Sequence, residues 1–129
     1  KILWVSQMTK GGDPWNIACT TGGPNCPENA GPDHDIGNSP VLVDLKNGKR
    51  AIVFGQKSGE VHAIDPDNGG KLLWTRRIGT GGTLGGIEWG VAADGENVYA
   101  ALSDVRLTPR DAQMRRRIAD QRAQEARAH

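Results

Sequence analysis

The sequence predicts an all-β fold of antiparallel strands over residues 1–104, and three observations point to it. Short β-rich runs recur about ten residues apart, the rhythm of a sandwich, barrel or propeller. Tight-turn signals such as Asn47-Gly48 and Asp94-Gly95 separate them. All 18 glycines lie in this stretch, and a glycine costs about 1 kcal/mol in a helix relative to alanine, which argues against a helical domain. The glycines have no three-residue period, which excludes collagen.

Residues 1–7 read as a strand from the first residue. The chain begins with Lys1 rather than Met and has no charged segment followed by an apolar one. No signal peptide is therefore expected, and the chain is expected to be a mature product or a fragment. Residues 8–40 form a long insertion that holds Pro14, Pro24, Pro27, Pro32, Pro40 and both cysteines. A loop of that length in a compact fold is functional or disordered; the cysteines, Trp15 and Ile17 favour an ordered functional loop. Four runs follow: 41–45, ending at Asn47-Gly48; 51–54, ending at Ser58-Gly59; 60–65, which alternates polar and apolar and stops at 66–70; and 72–78. Beyond a glycine-rich stretch, 79–86, the runs 87–93 and 97–102 flank Asp94-Gly95. The spacing gives one complete four-stranded unit, 41–78, preceded by the last strand of one unit and followed by the first two strands of another. Ile2-Leu3-Trp4 echoes Leu72-Leu73-Trp74 70 residues later, which supports a repeat.

Residues 105–129 are a different kind of chain. Residues 1–104 carry 9 Lys and Arg against 12 Asp and Glu, a net of −3, whereas 105–129 carry 7 Arg against 3 acids, a net of +4. A helix is expected from about Pro109, since proline suits a helix start. Its pair Met114 and Ile118 makes too thin an apolar face to dock firmly. The tail is expected to be an Arg-rich helical or disordered segment, and Arg115-Arg116-Arg117 is not read as a nucleic-acid site. The overall net charge of +1 gives no bulk attraction to nucleic acid or a membrane surface. No run approaches the roughly 18 apolar residues of a membrane span.

Several residues invite chemistry. Asp33 and Asp35 stand two apart, so on an extended chain their carboxylates point the same way. Such a pair binds a cation, shares a proton, or caps the backbone of its own loop. As a calcium site it is incomplete, because Ca²⁺ takes about 6–8 oxygens. Cys19 and Cys26 lack the matching Cys or His pair of a zinc site; they are a local disulfide of an oxidising compartment, or two inert thiols. Lys57 lies in the tight turn 55–59, where a lysine is ordinarily solvated. His62 falls on one sheet face, and neither it nor His129 is spaced for a triad with Ser39 or Cys19. The stretch 79–86 lacks the Lys-Ser/Thr of a phosphate loop and opens no helix; close backbone approach to something flat or bulky is its expected use.

Several of these segments together resemble the quinoprotein alcohol dehydrogenase family, most closely its polyvinyl-alcohol-dehydrogenase-like branch. Ala63-Ile64-Asp65, Gly69 and Lys71-Leu72-Leu73-Trp74 resemble the tryptophan-docking motif of pyrroloquinoline quinone (PQQ) propellers, with one residue more in the turn. Trp4-Val5-Ser6-Gln7 and Asp13-Pro14-Trp15-Asn16 resemble the lead into the family's active-site loop. The run 56–65 resembles the strand pair whose Lys or Arg contacts the quinone oxygens. Gly85-Gly86-Ile87-Glu88-Trp89 resembles the Gly-Gly-x-Asn-Trp segment that approaches the cofactor. The resemblance covers residues 1–104 and not the tail.

It implies a partial eight-bladed β-propeller of quinoprotein type, one blade plus parts of two neighbours, with PQQ and a metal ion (Ca²⁺ or a lanthanide) in the central channel. Trp4 and Trp74 would dock blades. Lys57 would face the C4/C5 carbonyl region of the quinone, stabilising negative charge as it is reduced. Glu88, in place of the family's Asn, and Trp89 would lie near the cofactor. Asp33 and Asp35 would supply the general base and a metal ligand. In many relatives the base directly follows a Trp, a position held here by Asn16, which cannot accept the proton; alignment on Asp-x-Asp makes Asp33 the base and Asp35 the metal-ligand position. The implied activity is hydride transfer from an alcohol, polymeric alcohols included, to PQQ, in the periplasm, with a cytochrome c-type electron acceptor. One blade cannot close a ring and leaves open edges, so this chain alone is expected to be inactive. The alternatives are a non-catalytic PQQ-repeat propeller, acting as a periplasmic binding or assembly scaffold, and an extracellular all-β interaction domain of another fold. The Cys- and Asp-bearing loop and Lys57 favour the enzyme.

Overall fold

A computed structural model of the chain describes residues 1–104. The helix expected from Pro109 and the run Arg115–Arg117 lie outside the described residues. Strands β1 (Val41–Asp44), β2 (Arg50–Gly55), β3 (Glu60–Asp65) and β4 (Lys71–Arg77) form one antiparallel sheet in chain order, and β5 (Val91–Ala93) and β6 (Val98–Ala100) form a separate hairpin. A short 3-10 helix, Ile17–Thr20, interrupts the long loop.

The turns follow from their residues. Between β1 and β2 the Asn47 side chain accepts from the Lys49 N–H at 3.0 Å, and the Leu45 N–H donates to the Lys49 carbonyl at 2.8 Å. The β2–β3 turn is closed by the Gln56 N–H on Glu60 O and the Gly59 N–H on Gln56 O, both 3.0 Å. After β3, the Asp65 carboxylate accepts from the Asp67 N–H and its carbonyl from the Gly70 N–H, both at 3.0 Å.

One sheet face builds the core by alternation. Ala51, Val53, Val61 and Ala63 are buried with Ile87, and Val43, Leu45, Val91, Val98 and Ala100 pack against them. The small hairpin thus covers the face to which Val43, Val53 and Ala63 point, in the register Val43↔Ala51 and Val53↔Ala63. Ile87 is fully buried at 0% exposure. Its side chain fills the space where a Cβ on Gly55 would stand, so β2 must end in glycine there.

β4 carries a bulge. Ala63 pairs with Trp74 while Ile64 pairs with Leu72, leaving Leu73 as the extra residue. Trp74 lies opposite Ala63. Trp74 then lines a crevice with Val43, Val53 and the hairpin residues Glu96, Asn97 and Val98.

Three expected strands differ. Residues 1–7 join no strand, and Ile2, Leu3 and Val5 are 80%, 81% and 82% exposed. A strand requires a lateral ladder of backbone bonds, and this segment meets the sheet through side chains instead. The Trp4 ring lies where a Cβ of Gly70 would be, and the Ser6 hydroxyl reaches Gly70 O at 3.4 Å. The runs expected over 87–93 and 97–102 shorten to β5 and β6, joined by a bridge between Gly86 and Ser103. Gly86 and Gly90 hold φ of 82° and 111°, outside strand geometry, and they turn Ile87 into the core.

Ile87→Ala is expected to destabilise the chain by about 2–5 kcal/mol, the range for deleting a large buried aliphatic side chain, read from the midpoint of urea unfolding.

Candidate functional site

The β2–β3 turn places Lys57 among three neighbouring segments. Its N–H donates to Asp35 O at 3.0 Å and its carbonyl accepts from the Gly82 N–H at 2.9 Å. Gly81 and Gly86 pack directly on the Lys57–Ser58 backbone. The stretch 79–86, expected to approach something flat or bulky, makes its close approach onto the backbone of this turn. The Lys57 side chain is only 15% exposed, unlike an ordinary turn lysine, and its Nζ lies 3.3 Å from Asp33 Oδ2, 3.0 Å from Asp35 Oδ2 and 3.8 Å from Glu88 Oε1. The two aspartates do converge, though not through an extended chain. Asp33 has φ 59°, the one positive value at a non-glycine among the described residues.

Asp13 stabilises that conformation. Its carboxylate accepts from the Asp33 N–H at 3.0 Å and the His34 N–H at 2.5 Å. Asn38 fastens the loop's other end, donating to Gly55 O at 2.8 Å and Ile87 O at 3.0 Å and accepting from the Gly55 N–H at 3.3 Å. The Gln56 side chain, also buried, donates to His34 O at 2.7 Å and Thr9 Oγ1 at 3.0 Å. Sequence reasoning missed Asp13, Asn38 and Gln56 as site residues. Their roles arise from contacts 17 to 49 residues away in sequence, and no local pattern signals those.

The electrostatics separate the two aspartates. Asp33 is buried and Asp35 exposed. Burial pushes the Asp33 carboxyl above its ordinary 3.8; the hydrogen bond and charge of Lys57 pull it down without prevailing, and nearby Asp35 adds to the rise. For Lys57, burial pulls the ammonium down, but hydrogen bonds to Asp35 and Asp33 outweigh this and lift it above 10.5. Asp33 Oδ1 is buried with no hydrogen-bond partner among the described residues. A buried polar atom left so is uncommon and points to an unfilled acceptor role.

The remaining expected residues are spread more widely. Glu88 joins the cluster at its rim, while Trp89 is 83% exposed. Cys19 and Cys26 form a disulfide. Asn16 caps the 3-10 helix, accepting from the Ala18 N–H and donating to Asn25 O, both at 2.9 Å, so its amide is engaged in the loop. Trp4 lies against Gly70, immediately before β4, and Trp74 lines a crevice with the small hairpin. The described residues do not make a calcium site on their own. Lys57 Nζ occupies the point where the Asp33 and Asp35 carboxylates meet, and no group of three or more His, Cys, Asp or Glu among the described residues is arranged to hold a metal ion.

The four-stranded antiparallel unit and the separate hairpin packed on it are consistent with part of a β-propeller. Over 105 residues, 81% of the chain, the sequence is 53% identical to a polyvinylalcohol dehydrogenase of Pseudomonas sp.. Over 87 residues, 67% of the chain, it is 45% identical to a polyvinylalcohol dehydrogenase of Sphingopyxis sp. (strain 113P3). The chain spans 16% and 13% of the length of these relatives. No family model matches it, and no solved structure does. Over most of its own length the chain is homologous to these polyvinylalcohol dehydrogenases.

Because the folded pKa of Asp33 lies above 3.8, ionising it opposes folding, and that loss of stability grows as the pH rises above 3.8 through the folded value. The Lys57 contribution has the opposite window: it is fully present below 10.5 and lost as the pH rises through the higher folded value. Carboxyl carbon NMR is expected to give Asp33 a midpoint above 3.8, and Lys57→Met is expected to raise it further by removing the groups that lower it.

Proposed function

We propose that this chain is part of a PQQ-dependent alcohol dehydrogenase in which Asp33 is the general base and Lys57 the neighbouring cation. The observation that carries this reading is the buried, unpartnered Asp33 Oδ1, on a carboxyl whose other oxygen is held by Lys57. Oδ2 is committed to the ammonium, so Oδ1 is the oxygen free to take the hydroxyl proton of an alcohol. Burial raises its proton affinity, which favours that transfer over remaining ionised. Lys57 stays charged and stabilises an adjacent oxygen that gains electron density. When bound, PQQ supplies the two-electron acceptor for the hydride leaving the alcohol carbon. Glu88, at the rim of the cluster, and its chain neighbour Trp89, whose ring is exposed, are the residues we assign to the cofactor's surroundings.

The substrate follows from the relatives' names: a polyvinyl alcohol or a related secondary alcohol. A Ca²⁺ or lanthanide ion belongs to the same reading and needs ligands beyond residues 1–104. The Cys19–Cys26 disulfide supports an oxidising compartment, which we take to be the periplasm, with a cytochrome c-type protein as electron acceptor.

The 129-residue chain alone is expected to show no dye-linked alcohol oxidation with added PQQ and Ca²⁺, whereas a full-length polypeptide containing it turns over. In that polypeptide Asp33→Asn is expected to lower kcat by about 10²–10⁴-fold, the range for removing a general base, while PQQ is still retained after desalting. A variant that keeps the parent kcat would sink the assignment of Asp33.

A further inference from the structure

Behind the Lys57 cluster lies a buried polar chain that the proposed reaction does not use directly. Gln56 and His62 are each 3% exposed. The Gln56 amide faces His34 O at 2.7 Å and Thr9 Oγ1 at 3.0 Å on one side, and Ser58 Oγ at 2.8 Å and His62 Nε2 at 3.2 Å on the other. His62 Nδ1 lies 3.0 Å from the Thr75 hydroxyl on β4.

The donor roles can be derived. A backbone carbonyl only accepts, so the Gln56 group facing His34 O must be its NH₂. Gln56 Oε1 is then the acceptor toward His62, and Nε2 of the ring must carry the proton. In the neutral ring, which burial favours, Nδ1 then accepts from the Thr75 hydroxyl. This arrangement is satisfied by neutral imidazole. Burial lowers the His62 pKa, against the raising effect of the Glu60 charge; the Phe54 ring lies 5.4 Å from the imidazole, and Glu60 is itself paired with Arg77 at 3.1 Å.

The Gln56 end of this chain clamps the peptide that joins His34 to Asp35. Asp13 holds the N–H groups of Asp33 and His34, Gln56 holds His34 O, and the Lys57 N–H holds Asp35 O. We propose that Gln56 and His62 are a positioning pair for the Asp33–Lys57–Asp35 cluster, in which neutral His62 orients the Gln56 amide and Gln56 fixes the peptide between the two aspartates. Its catalytic consequence rests on the proposed role of Asp33; its geometry does not.

Two measurements test it. In the 129-residue chain, nitrogen NMR is expected to show His62 neutral and protonated at Nε2. Gln56→Glu, which turns the donor into an acceptor facing His34 O, is expected to speed exchange of the Lys57 amide about tenfold while amides of the β2–β3 ladder keep their protection. His62→Leu should act likewise, and His62→Gln, which keeps a donor at similar reach, should restore slow exchange. An Nδ1–H tautomer, unchanged Lys57 exchange in Gln56→Glu, or a uniform loss of protection that His62→Gln does not rescue would each overturn the pairing. In the full-length, PQQ-loaded enzyme, Gln56→Glu and His62→Leu are expected to lower kcat by about 10–100-fold with KM nearly unchanged, as displacement of a catalytic group does. An active parent whose Gln56→Glu variant keeps its kcat overturns the positioning role. A parent that binds PQQ but oxidises no alcohol overturns the functional reading instead, and the exchange results then decide the geometry alone.

Discussion

An ammonium group held mostly out of water requires compensation, and much of the architecture around Lys57 supplies it. A lysine withdrawn to 15% exposure is costly unless paired. Here Asp33, Asp35 and Glu88 approach it from two separate segments. The backbone of the same residue is engaged too, its N–H by the aspartate loop and its carbonyl by the glycine-rich stretch. One residue at a hairpin tip therefore fastens the long loop, the central sheet and the approach to the small hairpin. Replacing the side chain would delete the charge and its three carboxylate contacts while leaving the two backbone bonds in place.

The sheet supplies the fixed frame for that contact. The packing of Ile87 against Gly55 brings Glu88 to the rim of the cluster, because the two residues are adjacent in sequence. Asn38 bonds to both sides of this junction, the end of β2 and the Ile87 carbonyl. The bulge at Leu73 works in a similar way at the other edge. It leaves Trp74 opposite Ala63, lining a crevice with Val98 and Asn97 of the next hairpin. Irregularity is placed where it preserves the tryptophan's direction.

These relations explain what could be read from the chain in advance. The four-stranded unit was legible because its turns are local: Asn47-Gly48, Ser58-Gly59 and the segment 66–70 each close through bonds within a few residues. Residues 1–7 have strand composition, but composition does not provide a lateral partner, and Trp4 meets Gly70 by its ring. Asp33 and Asp35 were identifiable as a carboxylate pair, yet their convergence depends on the positive φ of Asp33, held by Asp13 from 20 residues away. Lys57 read locally is a solvated turn lysine; the family resemblance was needed to single it out. Gln56 had no signal beyond its place beside Lys57, since its four partners come from residues 9, 34, 58 and 62.

The charge count of the cluster indicates which chemistry it favours. Three carboxylates and one ammonium sum to −2 when all are ionised. Lys57 offsets part of this, but it touches only one oxygen of Asp33 and leaves the other buried without a partner. Such a site gains from taking up a positive charge. A proton arriving on Asp33 Oδ1 relieves like-charge repulsion with Asp35 and the desolvation of a carboxylate at once. Asp35 is exposed at the same ammonium. The asymmetry between two aspartates only two residues apart is therefore produced by burial, and it is the reason we propose Asp33 rather than Asp35 as the proton acceptor.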